Sequence, residues 1–162
     1  MALSEALTVL LAVWNVQYYR MRPESRRTLV DDLDTLLASH GQRLSTYRLR
    51  SLDSMSADDE SPIKTMFASF RSVLGPVGTA KALHLLAPRF FPIWDATIRH
   101  AYRVGSDRAD RDPGKYWAFM EIVKEQVDAL GGEVALGRNP VKALDEYNFC
   151  RFTLNAAELS NA

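Results

Sequence analysis

Residues 73–102 read VLGPVGTAKALHLLAPRFFPIWDATIRHAY, and this stretch decides how the rest of the chain is understood. Its left half is a helix end, a glycine turn at Gly75 and Gly78 around Val77, and a second helix expected over 79–87. Glycine at this spacing lets the backbone turn sharply and approach a bulky partner. The N–H groups that open the second helix, from Thr79 onward, are natural phosphate donors. A plain helix-turn-helix corner with a glycine cap explains the same residues. The right half is an aromatic-proline loop, RFFPIW, that delivers one carboxylate, Asp95, to the start of a third helix, ATIRHAYR. Aspartate immediately before a helical run is a favoured N-cap.

Outward from this stretch, the periodicity is helical and no strand alternation of any length interrupts it. Leu7, Leu10, Leu11, Trp14 and Tyr18 recur at helical spacing over 4–20, and Leu29, Leu33, Leu36 and Leu37 over 24–39, with Gly41 as the expected stop. A short helix is expected around 43–54, followed by an exposed acidic loop, SADDE, at 56–60. Three helix starts share a capping residue followed by proline: Ser61-Pro62, Asp112-Pro113 and Asn139-Pro140. The second opens 113–130, which Gly131-Gly132 ends. The fold class expected is all-α, a single domain over 1–162 of about eight helices.

The 20 basic and 20 acidic side chains cancel, so net charge alone points to no partner. Their distribution is uneven. Over 61–105, Lys64, Arg71, Lys81, Arg89, Arg99 and Arg103 face Asp95 alone, a local net of +5. A backbone-tracking nucleic-acid surface requires such a stripe, and solvated helix faces also produce one. The single cysteine, Cys150, excludes an internal disulfide framework and a four-cysteine iron–sulfur loop. His40, His84 and His100 show no ligand spacing, so no metal site is expected. The apolar run 6–14 is far short of the roughly 20 residues that cross a bilayer. A cytoplasmic protein with no membrane partner is expected.

The 73–102 stretch resembles the helix-hairpin-helix DNA glycosylases, the superfamily of endonuclease III and 8-oxoguanine glycosylase. The residues that carry the resemblance are Leu74, Val77, Gly78 and Ala82, then Trp94, Asp95, Ala96, Thr97 and Ile98. Gly75-Pro76 reverses the family's Pro-Gly order, Thr97 stands where the family has histidine, and Asp95 lies 17 positions after Gly78. The resemblance implies a helix-hairpin-helix motif and a catalytic Asp95. It also implies contacts to the backbone of double-stranded DNA from Gly75, Val77, Gly78, Thr79 and Lys81, and no cofactor beyond a monovalent cation at the hairpin. Ala80 stands where bifunctional relatives carry a Schiff-base lysine. Lys81, one position and about 100° later, is expected to point elsewhere unless the altered hairpin rotates the helix. A monofunctional enzyme follows, which hydrolyses the bond to a damaged base or a deliberately modified one, such as occurs in phage DNA.

Such an enzyme holds its flipped base between apolar or aromatic walls. The candidates are Trp14, Asn15 and Tyr18 on the first helix, Trp94 beside Asp95, and Asn148 on the last. Aromatics at this spacing also build cores, and a buried asparagine finds side-chain partners as readily as a base. A monomer is expected. The other readings are a helix-hairpin-helix module without catalysis, in which Asp95 is only a cap, and a helical regulator whose basic strip meets an acidic protein.

Overall fold

The computed structural model describes residues 1–14, 28–104 and 113–154, and within them it is a single all-α domain of seven α-helices with no strand. In chain order these are α1 (Leu3–Trp14), α2 (Leu29–Arg48), α3 (Glu60–Leu86), α4 (Ala96–Ala101), α5 (Pro113–Ala129), α6 (Gly132–Leu136) and α7 (Pro140–Asn148). Short 3-10 turns at Leu52–Ser54 and Ala57–Asp59 link α2 to α3, and a π-helical segment, Phe149–Leu154, continues α7.

The central element is α3, against which α1, α2 and α5 pack. Ile63, Met66, Phe67, Phe70 and Leu74 recur every three or four residues and are all fully buried. At Gly75 the helical path breaks: φ is 69° and ψ 172°, a conformation open to glycine and strained for any other residue. Pro76 then opens the second arm of α3. The turn expected across 75–78 is therefore a kink at one residue, and Gly78 lies inside the second arm, buried. Proline is well suited to that place, since the first helical residue has no use for its N–H.

An aromatic cluster fills the space between α3, α5 and the loop before α4. Phe67 stacks on Tyr116 at 4.4 Å between ring centroids, and Trp94 meets Tyr116 and Phe119 edge-on at 5.6 and 5.7 Å. Each such side chain contributes about 1.5–3 kcal/mol by leaving water.

Several expected boundaries move. Gly41 does not stop α2, which runs to Arg48 and absorbs the first half of the helix expected over 43–54. One glycine costs a helix only about 1 kcal/mol, and the packing of Leu33, Leu44 and Tyr47 on the core outweighs it. The acidic loop at 56–60 is not simply solvated: Asp59 is buried and bound to Arg50, and Ser56 with Asp59 forms a capping box one turn ahead of the expected Ser61 cap. Asn139 does cap α7, accepting from Val141 N at 3.1 Å, with Pro140 at the first helical position. Pro113 opens α5, while Asp112 lies outside the described residues.

Candidate functional site

The loop from Phe90 to Trp94 is buried along its whole length, which is unusual for a connection and makes it a rigid mount. Three hydrogen bonds hold it and its approach. Leu52 N donates to the Arg89 carbonyl at 3.0 Å, Tyr116 Oη to the Pro92 carbonyl at 3.0 Å, and His84 Nδ1–H to the Phe91 carbonyl at 2.8 Å. Burial keeps the His84 pKa below the ordinary histidine value, with the Phe91 carbonyl and Asp145 opposing the shift. Its ring is a neutral strut whose protonated nitrogen faces the loop.

At the end of this mount stands Asp95, in extended conformation at the N-cap of α4. Its Oδ1 accepts from Ile98 N at 2.8 Å, and this is its one side-chain hydrogen bond among the described residues. The carboxylate is thus fixed through one oxygen while the other remains available.

Asp95 lines a cavity of about 420 Å³ together with Trp14, Lys81, Ile93, Ile98, Lys142, Asp145, Glu146 and Phe149. Volumes of this size hold small organic ligands. The apolar walls come from both ends of the chain, Trp14 from α1 and Phe149 from the segment after α7. The charged groups differ in what they already hold. Lys142 is paired with Asp145 at 2.8 Å, and Glu146 with Arg138. Lys81 and Asp95 have no salt-bridge partner among the described residues.

Lys81 takes the direction that a rotated second helix allows, not the one the family's spacing implies. The break at Gly75 sets a new rotational phase for the second arm of α3, in which Ala80, Ala82 and Leu83 face the core and Lys81 turns into the cavity. Its Nζ donates to the Trp14 carbonyl at 3.0 Å and lies 5.1 Å from the centre of the Trp14 ring. Burial lowers its pKa from 10.5, and the nearby carboxylates of Asp95 and Asp145 oppose that shift. A lysine whose ammonium form is disfavoured by desolvation is the kind that acts as a base or nucleophile.

The other sequence candidates divide. Trp14 is at the cavity, and Asn15 and Tyr18 lie outside the described residues. Trp94 is not in the pocket: it is fully buried among Phe67, Tyr116 and Phe119. Asn148 is buried too, its Oδ1 accepting from Tyr102 Oη at 2.9 Å, a side-chain partner that leaves no role in the cavity wall. Gly78 and Thr79 are buried, and the Thr79 hydroxyl donates to the Gly75 carbonyl at 2.7 Å, so neither presents an open surface to a nucleic-acid backbone. Gly75 and Val77 remain half-exposed.

The basic stripe is also less free than the sequence suggested. Lys64 pairs with Glu60, Arg89 pairs with Glu133, and Arg99 is buried with its guanidinium 5.6 Å from the Trp94 ring centre. The neutralising carboxylates lie outside the window over which the charges were counted. Sequence reasoning missed Lys142, Asp145 and Phe149 as neighbours of Asp95, because they come from the last helix and its continuation, and nothing in their local pattern signals the encounter.

Among the described residues no group of three or more His, Cys, Asp or Glu side chains is placed to hold a metal ion, and no helix is long and apolar enough to cross a membrane. No protein-family model matches this chain, and neither a curated protein nor a solved structure matches it.

Proposed function

We propose that the cavity between Lys81 and Asp95 is the active centre of a monofunctional DNA glycosylase. The enzyme would flip a damaged or modified base out of the duplex and hydrolyse its bond to the sugar. The observation that carries this reading is Asp95 itself, a carboxylate held at a cavity by one oxygen on a rigid, buried loop. Breaking an N-glycosidic bond builds positive charge on the sugar ring, and a carboxylate fixed in advance stabilises that charge or orients the attacking water. Trp14 and Phe149 supply the aromatic walls a flipped base requires. The resemblance of residues 74–98 to the helix-hairpin-helix glycosylases points the same way.

The experiment is incubation with duplexes carrying damaged, mismatched and naturally modified bases, read by mass spectrometry for free base and by alkaline cleavage for abasic sites. Free base released by the wild type and lost in Asp95→Asn supports the assignment. Unchanged release by a folded Asp95→Asn protein would sink it. No release, with salt-sensitive binding to duplex of any sequence, moves the reading to a non-catalytic DNA-binding module, and absence of DNA binding moves it to a protein-interaction role.

The position of Lys81 favours a second reading, in which its amine replaces water as the nucleophile. The nitrogen would bond to the sugar C1′ as the base departs with the bonding electrons, and ring opening would leave an imine. Borohydride reduces that imine to a stable protein–DNA adduct. An adduct lost in Lys81→Gln supports amine attack, whereas base release without an adduct supports hydrolysis.

A further inference from the structure

Helix α4 ends in a turn whose form ordinarily calls for glycine. Arg103 N donates to the His100 carbonyl at 3.1 Å and Val104 N to the Arg99 carbonyl at 3.2 Å, the paired closure of a helix whose next residue turns left-handed. Glycine is the usual residue at that left-handed position, because a Cβ there crowds the following carbonyl. Arg103 occupies it at a φ of 55°, and among the described residues it is the one non-glycine residue with a positive φ. Val104 is buried beside it and pins the turn. Strain of this kind, held in place by its surroundings, is a mark of functional sites.

What an arginine supplies there is an unengaged charge. Of the six basic side chains counted over 61–105, Lys64 and Arg89 are paired with carboxylates, Arg99 is buried, Lys81 is bonded inside the cavity and Arg71 is half-buried. Arg103 is exposed, and no hydrogen bond or salt bridge engages its side chain among the described residues. The exposed edge of α4 that leads back from it holds His100, one turn away, and Ala96 beside Asp95, with no further carboxylate on it. Ile98 and Arg99 take the buried side.

We propose, on the reading that the cavity takes its base from duplex DNA, that Arg103 grips a backbone phosphate of the strand whose sugar lies at Asp95. Arg103 is eight positions after Asp95, about 12 Å along the helix axis. That distance spans roughly three or four nucleotides, each of which adds about 3.4 Å to a duplex strand. The guanidinium fork offers a phosphate two parallel donors, which a point charge does not. One short helix thus presents a carboxylate to the sugar at its start and a cation to the backbone at its end.

Fluorescence anisotropy of the full chain with an undamaged duplex of about 20 base pairs, over a range of salt, tests the proposal without any base release. Wild-type binding should weaken steeply as salt rises. Losing one phosphate contact lowers the slope of log K against log salt by about 0.9, which is about fivefold in affinity at about 0.15 M salt, and Arg103→Gly should show that loss. The thermal unfolding temperature of the same variant should hold or rise, because glycine relieves the left-handed turn. Arg103→Lys keeps the charge and should keep most of the slope. An unchanged slope in Arg103→Gly overturns the proposal. So does a lower unfolding temperature, which would assign the arginine to the helix end and its dipole. An equal loss in Arg48→Gln, at an exposed arginine of α2, also overturns it, because the charge would then act at a distance and not by contact. Wild type that binds no duplex overturns it together with the glycosylase reading, whereas the other three outcomes leave that reading standing.

Discussion

Two places in the molecule set a basic side chain beside an acidic one, and the protein treats them in opposite ways. At the corner between α2 and α3, Arg50 grips both oxygens of Asp59 at 2.7 Å, donates also to Ser54, and lies over the rings of Tyr47 and Phe90. Asp59 accepts from Ser56 N at 2.9 Å as well. At the cavity, Asp95 accepts one bond and Lys81 donates one to a backbone carbonyl, with open volume between the walls. Saturated charges hold a fold in place. Charges held rigidly but left with spare bonding capacity have something still to bind, and on that difference the cavity, not the better-bonded corner, is the place to look for chemistry.

The largest effect that separates the two is on rate. Asp95→Asn should lower base release by about 10²–10³-fold, the usual cost of removing one preorganised electrostatic group. Stability should hardly move, because asparagine caps a helix about as well as aspartate. Release assays beside thermal unfolding check both halves. Unchanged stability together with unchanged release would mean that Asp95 is only a cap, and the contrast with the corner would collapse.

The complementary change is Asp59→Ala, expected to cost about 2–3 kcal/mol, since it strips a partly buried guanidinium of its charged partner. It should leave the rate per folded molecule intact. Denaturant unfolding and activity at a temperature where the variant is folded measure the two quantities separately. Reduced turnover in a fully folded Asp59→Ala protein would show that corner and cavity are coupled.

How much of this contrast the sequence discloses depends on how far apart the contributing residues lie. The helices are legible because Ile63, Met66, Phe67, Phe70 and Leu74 repeat locally, and the Asn139-Pro140 cap because capping chemistry spans three residues. Asp95 is legible for the same reason: loop, carboxylate and helix start are contiguous. The cavity around it is not, since Trp14 and Phe149 approach it from opposite ends of the chain. The direction of Lys81 is not legible because it depends on the rotational phase set at Gly75, and a single φ of 69° moves every side chain after it. Trp94 reads equally well as pocket wall or core from its spacing alone. Only the positions of Tyr116 and Phe119 decide for core.

Acid and alkali should separate the two sites further. For Asp59, burial by itself would raise the pKa, but the hydrogen bonds from Arg50 and Ser56 N more than offset it, and the folded value lies below 3.8. The stability it contributes is present above that ordinary value and is lost as pH falls through the lowered folded one. Lys81 behaves inversely. Its folded value is below 10.5, so the unfolded chain binds the proton more tightly, and the fold gains stability as pH rises through the interval between the two. The difference in unfolding free energy between wild type and Asp59→Asn should therefore shrink below about pH 4. That between wild type and Lys81→Met should shift in the wild type's favour as pH rises toward the usual lysine range. A flat difference for Lys81→Met would mean that the amine is solvated as an ordinary surface lysine, and the case for a reactive cavity would weaken with it.

The smallest expected effect is a control on the claim that corner and cavity are independent of general stability. Gly41 sits inside α2 at a negative φ, and a methyl group added there would meet nothing within 4 Å. Gly41→Ala removes backbone freedom from the unfolded chain and improves helix propensity at no steric cost, so it should stabilise by about 0.5–1 kcal/mol. For a chain of this size that is a rise of roughly 2–4 °C in melting temperature at the upper figure. Because Gly41 touches neither Arg50 nor the cavity, the pH slopes assigned to Asp59 and Lys81 should be unchanged in this variant, and base release should match the wild type at equal folded concentration. If the stabilised protein turned over more slowly, motion of α2 against α3 would be part of the reaction, and the division between a part that holds and a part that acts would have to be redrawn around the kink at Gly75.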